Sequence, residues 1–124
     1  MSRRGLVLFA HGARDPRWAL PFEAVARRAR GSLPDTPVRL AFLELMQPGL
    51  AEAVASLAGE GVTDVDVVPL FLGGGGHLRN DLPRLTDAVR SGHPGLNIRL
   101  HPAVGEDEAV VEAMAQAAIR FSGE

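Results

Sequence analysis

The sequence predicts an α/β fold: a doubly wound, four-stranded parallel sheet in the order 2-1-3-4, with helices on both faces. Three observations carry this reading. Short apolar runs alternate with stretches in which apolar residues recur at helical spacing, giving βαβαβαβα, the pattern of a parallel sheet with crossover helices. The runs are apolar throughout, as expected of strands covered on both faces. The chain's more unusual residues gather just after those runs, at the carboxyl edge where such sheets bind ligands.

LVLFA (6–10) is long enough for a buried first strand, and HGARDP turns the chain. Trp18, Phe22, Val25, Ala26 and Ala29 then recur at helical spacing, with Pro21 either in the first turn or at a kink. The loop GSLPDTP leads to a second strand, VRLAFLEL (38–45). Pro48 and Gly49 open a helix with Leu50, Val54, Leu57 and Ala58 on one face, which Gly59 and Gly61 stop. VDVVPLFL (65–72) is the third and most apolar strand. Leu82, Leu85 and Val89 mark a helix beginning near Asn80. HPG breaks it, NIRLH (97–101) is a short fourth strand, and Val110, Met114, Ala117, Ala118 and Phe121 mark the last helix. No linker, low-complexity tract or internal repeat interrupts this order, so residues 1–124 read as one domain. A chain of that length buries roughly two thirds of its unfolded surface.

Composition removes several chemistries. There is no cysteine, hence no disulfide, thiolate metal site or cysteine nucleophile. All 13 basic residues are arginine, which removes Schiff-base and phosphate-loop lysines. A net charge of −2 argues against a general nucleic-acid binder. No apolar run approaches the roughly 20 residues of a membrane span, and the short run near the N-terminus lacks a signal-peptide pattern. A cytoplasmic location is the expectation.

The carboxyl edge carries the candidate site. The first strand ends in His11-Gly12, the second in Glu44, and the third in the glycine run Gly73, Gly74, Gly75, Gly76 followed by His77. With strands 1 and 3 adjacent, His11 and His77 face each other across one crevice although 66 positions apart. The run GGGGHLRN fails the dinucleotide pattern, since Leu78 stands where the last glycine belongs, and it fails the phosphate-loop pattern. No serine stands as an elbow nucleophile, because Ala13 and Gly74 occupy those positions. Two neutral imidazoles suit iron, cobalt, nickel or zinc. Without a firm third ligand they make an open site, better suited to transient delivery of a metal than to storage. His93 reads as a turn residue, His101 as the end of the last strand away from the switch point, and Trp18 as core or cavity wall.

FAHGARDPRW, AFLELMQP and VPLFLGGGGHLRNDLP together resemble the small class II chelatases, the short CbiX-type sirohydrochlorin cobaltochelatases and their ferro- and nickel-chelatase relatives. The resemblance runs from Leu6 to about Gly105 and rests on the combination of motifs. It implies insertion of a divalent metal (Co2+, Fe2+ or Ni2+) into sirohydrochlorin without ATP or an organic cofactor. It matches His11 and His77 to the family's metal-binding histidines and Glu44 to its strand-2 glutamate. Ala13 stands where many relatives have serine, and Gly73 and Gly74 where many have a different loop.

The implied chemistry fits the residue types. A neutral imidazole holds an ion or takes a proton near neutral pH, and a carboxylate accepts the second proton or completes the coordination. Gly73 to Gly76 clear room for a flat macrocycle beside His77. Arg14, Arg17 and Arg79 lie in the same loops and are suited to the substrate's carboxylates. A sheet this small offers a shallow crevice, and longer relatives hold two copies of the unit, so a homodimer is expected. A non-catalytic metal or tetrapyrrole carrier would need the same residues and stays open at this point.

Overall fold

The computed structural model describes residues 2–73 and 75–123, without the side chains of residues 76 and 77. Four strands, β1 (Arg4–Ala10), β2 (Val38–Phe42), β3 (Asp64–Pro69) and β4 (Asn97–Leu100), form one sheet in the order β2-β1-β3-β4. All three pairings are parallel; Leu8 lies between Leu40 and Val68, and Val67 pairs with Leu100. The helices are α1 (Leu20–Ser32), α2 (Leu50–Gly59), α3 (Gly76–Ser91) and α4 (Glu108–Phe121), with 3-10 turns at Pro16–Ala19 and Val104–Glu106. Fold class and strand order are those expected from the sequence.

The sheet separates two apolar layers. On one side α2 and α3 cover Val7, Phe9, Ala41, Val65, Val67 and Ile98. On the other, α1 covers Leu8 and Val38, and the 3-10 turn before it covers Ala10 and Phe42. Pro21 lies in the first turn of α1, where a missing N–H costs nothing.

Several boundaries differ from expectation. β2 stops at Phe42 instead of Leu45, because the Phe42 N–H turns to the Pro48 carbonyl at 2.9 Å and residues 43–48 loop back. Leu45 in that loop has φ 66°, a left-handed conformation uncommon for its type. β3 stops at Pro69 instead of Leu72, the Leu70 N–H still donating to the Phe9 carbonyl at 2.8 Å before the β3–α3 segment begins. α3 begins at Gly76, not near Asn80, so His77 and Arg79 stand in its first turn instead of a loop.

The reading of all strands as covered on both faces is also corrected. Burial alternates along β3, and Asp64 and Asp66 occupy the face opposite Val65 and Val67. On that face α1 lies chiefly over β2, with Leu8 of β1 and Val68 of β3 joining the same apolar cluster. The β3–β4 half there carries Asp66, Arg99 and His101, which pair with one another in place of a helix.

Candidate functional site

β1 delivers His11 and the β2–α2 loop delivers Glu44 to the same point at the carboxyl edge. The Glu44 N–H donates to the His11 carbonyl at 3.1 Å, prolonging the β1–β2 pairing past the end of β2. Above this backbone bond His11 Nε2 lies 3.0 Å from Glu44 Oε1. Their side chains are 46 % and 55 % exposed, so the pair sits at the surface of the crevice, open to a ligand. A hydrogen bond of Nε2 to the carboxylate favours the tautomer that leaves the Nδ1 lone pair free.

Gly12 is what permits this contact. Its φ is 103°, and a Cβ there would lie 1.9 Å from the Glu44 carbonyl oxygen. Only a residue without a side chain lets the two backbones approach so closely. The HG pair after β1 is thus a local requirement for bringing His11 to Glu44.

Phe71 completes the surroundings of His11. Its buried ring meets the imidazole edge-on, with centroids 6.1 Å apart at 69°, and meets Phe9 at 6.2 Å and 61°. In the sequence Phe71 is one apolar residue in an apolar run, and nothing there distinguishes it from core.

The β3–α3 segment carries the other predicted residues. A Cβ at Gly73 or Gly75 would meet no described atom within 4 Å, and neither has a positive φ. The chain's own packing therefore does not require glycine at either position. Gly74 and the side chain of His77 lie outside the described residues. Gly76 opens α3 with Gly75 as its N-cap; the first turn's bond runs from the Arg79 N–H to the Gly75 carbonyl at 3.2 Å. The N–H groups before Arg79 form the helix's positive end. Among the described residues no group of three or more His, Asp or Glu side chains could hold a metal ion.

The arginines are distributed around this edge. Arg14 lines a cleft of about 330 Å³ with Ala13, Phe42, Leu45 and Met46. Trp18 meets Phe22 with centroids 4.6 Å apart at 37° and packs against the Ala10, Ala19 and Phe42 cluster, a partly buried core residue. Arg79 lines a separate cleft of about 420 Å³ with Phe71, Gly73 and His101. Arg17 is already engaged: its Nη2 donates to Asp15 Oδ2 at 2.9 Å and its backbone N–H to Oδ1 at 2.9 Å. Arg17's side-chain and backbone hydrogen bonds hold the Asp15 carboxyl below its ordinary range.

His101 belongs to a different group. Its Nε2 lies 2.8 Å from Asp66 Oδ1, which also accepts from Arg99 Nε at 2.9 Å. Burial pushes the Asp66 carboxyl up, but the hydrogen bonds and charges of His101 and Arg99 outweigh it and hold it below the usual range. No described helix is long and apolar enough to cross a membrane.

Comparison with known proteins places these features in a family context. A family model described as CbiX matches residues 5–120. The chain is 34 % identical to the sirohydrochlorin cobaltochelatase of Methanosarcina acetivorans over 97 residues, 78 % of this chain and 75 % of that protein. It is 26 % identical to the sirohydrochlorin ferrochelatase of Bacillus subtilis, over 90 % of this chain but only 43 % of the relative. A solved CbiX protein from Marinobacter aquaeolei VT8 superposes with a TM-score of 0.86 at 32 % identity, over 97 % of this chain and 98 % of that one.

Proposed function

The chain belongs to the CbiX family, and from that premise we propose that it is a metal chelatase inserting Co2+ or Fe2+ into sirohydrochlorin. The observation that carries the assignment of the site is the His11–Glu44 pair, 3.0 Å apart at the carboxyl edge of β1. His11 and His77 receive the metal ion, which is a substrate. Few protein ligands leave positions for the macrocycle's nitrogens to displace water and then protein from the ion. Ni2+ fits the same donors by the general affinity order.

Insertion releases two pyrrole N–H protons as the two nitrogens bind the metal. Glu44 takes one, and through its contact with His11 the pair shares the developing positive charge. The second passes to the other imidazole or to water in the crevice. Gly73, Gly74, Gly75 and Gly76 are assigned to binding the ring, a reading supported by the open space at Gly73 and Gly75. Arg14 and Arg79 bind peripheral carboxylates from two sides of the crevice, and Arg17 joins them by exchanging its Asp15 partner. The positive end of α3 adds to the field that holds a polyanionic ring. No nucleotide or organic cofactor enters the reaction.

Residues 1–124 act as one chelatase-like domain, working in the cytoplasm as a homodimer. The B. subtilis relative, of which this chain covers 43 %, is long enough for two such units. A pairing that brings two carboxyl edges together turns shallow crevices into a walled cavity, with Leu45, Met46 and Leu78 at its rim.

The test is spectroscopic. Protein, sirohydrochlorin and Co2+ or Fe2+ are mixed and the tetrapyrrole absorption followed. Product in excess of enzyme establishes catalysis; a stop at one equivalent would mean a carrier. His11→Ala and His77→Ala are expected to remove most turnover, and Glu44→Gln to slow it about a hundredfold, the lower range for proton-transfer groups. Near wild-type turnover in all three would overturn the site.

A further inference from the structure

Two large apolar residues flank the His11–Glu44 pair, and both are out in water. Leu45 and Leu72 are each 60 % exposed. Leu45 lies three residues past Phe42, the end of β2, and Leu72 three past Pro69, the end of β3. β1, which leads into His11, runs between those two strands. The leucines therefore stand on opposite sides of the pair along the carboxyl edge.

A single exposed leucine is ordinary on a protein surface. These two differ because the backbone behind each is held in place. Ahead of Leu45 the Glu44 N–H donates to the His11 carbonyl at 3.1 Å, and the Phe42 N–H closes the loop around it on the Pro48 carbonyl at 2.9 Å. Between these bonds Leu45 adopts φ 66°, where its own Cβ crowds the backbone and glycine or asparagine is the usual occupant. That conformation costs free energy that those residues would largely avoid, and such strain gathers where a side chain serves a ligand. Leu72 is fixed from behind. The Gly105 N–H donates to the Phe71 carbonyl at 2.9 Å, and a Cβ on Gly105 would stand 1.7 Å from the Leu72 oxygen. The fold holds both main chains closely and leaves both side chains largely uncovered, so its own packing does not account for leucine at either place.

The surroundings indicate what covers them. At the centre stand His11 and Glu44, 3.0 Å apart. Leu45 and Leu72 come next on either side. Further out, Arg14 lines the cleft that Leu45 shares, and Arg79 the cleft beside Phe71 and Gly73, the chain neighbours of Leu72. A polar centre, apolar flanks and a cationic margin complement a flat ring with nitrogen donors in its middle, an apolar body and carboxylates at its rim. A metal ion alone, or a small polycarboxylate, has nothing to lay on the leucines. We propose that Leu45 and Leu72 are the residues on which the body of the macrocycle rests, holding its nitrogens over His11 and selecting a ring over other polyanions. This rests on the reading of the site as one for tetrapyrrole metallation and adds which side chains bear the ring. Apolar contact draws nothing from charge, so this share of the affinity is insensitive to salt, unlike the arginines' share.

The test measures binding apart from turnover. Metal-free sirohydrochlorin is titrated into the protein and followed by its absorption, and Co2+ is titrated separately by calorimetry. Leu45→Asn and Leu72→Gln are each expected to weaken tetrapyrrole binding about tenfold, the effect of covering most of a leucine side chain. The loss should be the same at low and high salt, with Co2+ affinity and the mass by light scattering unchanged. Leu45→Met and Leu72→Met keep an apolar body of similar volume and should bind the ring as wild type does. Leu45→Asn should melt no lower than wild type, since asparagine tolerates a positive φ. Tetrapyrrole affinity unchanged in both polar variants would overturn the proposal. So would an equal loss of Co2+ affinity, a changed mass, or a wild type that does not bind the ring. Ring binding by wild type without metal insertion would count against the chelatase reading alone, and the same titrations would still decide the role of the leucines.

Discussion

His11 and Glu44 meet because Gly12 has no side chain. Alanine at position 12 would need φ near 103° and a Cβ 1.9 Å from the Glu44 oxygen. The backbone conformation alone costs about 1–2 kcal/mol for an L-residue. Gly12→Ala is therefore expected to lower the melting temperature by several degrees and, by moving Glu44 from His11, to weaken Co2+ binding. A calorimetric melt with a Co2+ titration checks both; weaker metal binding without loss of stability would show the contact is not structural. Asp66 makes a second prediction, in pH. Its carboxyl is held below the ordinary value by His101 and Arg99 despite burial, which pushes the other way. A depressed carboxylate stabilises the fold above its unfolded value of about 4, and that contribution fades as pH falls through the folded value. Asp66→Asn should be less stable than wild type at pH 7, and the gap in urea midpoint should close below about pH 4. A gap constant from pH 7 to pH 3 would mean that the charge of Asp66 contributes nothing.

At the scale of elements, two kinds of glycine behave oppositely, Gly105 in the turn before α4, against the β3–α3 segment, and Gly73 within that segment. Gly105 abuts the Leu72 backbone, so Gly105→Ala forces two main chains apart and should cost about 1–3 kcal/mol, the usual range for overpacking. Gly73 faces open space, so Gly73→Ala should fold at least as well, gaining about 0.4–1 kcal/mol from a less flexible unfolded chain. If the space belongs to the macrocycle, the same variant should raise KM for sirohydrochlorin. Unchanged kinetics would remove the glycine floor from the mechanism. These elements also mark what the sequence could and could not disclose. Apolar runs and helical stripes made the four strands and their order legible, and with them the placing of His11 and Glu44 at the same carboxyl edge; the direct contact of the two was not foreseen. The end of β2 was not legible either, because AFLEL reads as a continuing strand while residues 43–48 loop back to the Phe42 N–H, even though the Leu43 and Glu44 N–H groups still bond β1. The start of α3 was hidden because glycines read as loop even when Gly75 caps a helix and Gly76 begins it. The alternation of β3 was masked by Val68, Leu70 and Leu72 following Asp64 and Asp66, and the last helix gave its stripe but not its lack of a partner surface.

For the whole molecule, the exposure of the site decides what unit works. In one chain the His11 and Glu44 side chains are about half exposed, and a polar pair that open to water contributes little. Such a pair hardly competes with water for a metal or a pyrrole proton. Closing the crevice with a second carboxyl edge lowers the local dielectric and strengthens every charge interaction inside it. The catalytic unit should then be the pair of chains, and activity should follow mass action. Well below the dimer dissociation constant, the fraction of chains paired is proportional to concentration, so a tenfold dilution should lower the turnover per chain about tenfold. A tandem protein, two copies joined by a flexible linker, converts pairing into an intramolecular event and should hold its turnover per chain over the same dilutions. Its length would match that of the B. subtilis ferrochelatase, of which one chain covers 43 %. The measurement is the initial rate of sirohydrochlorin metallation across a dilution series at saturating Co2+, beside light scattering at the same concentrations. A turnover per chain that stays level while the scattering reports monomer would show that one carboxyl edge, with His11, Glu44 and the α3 terminus on it, suffices for the reaction.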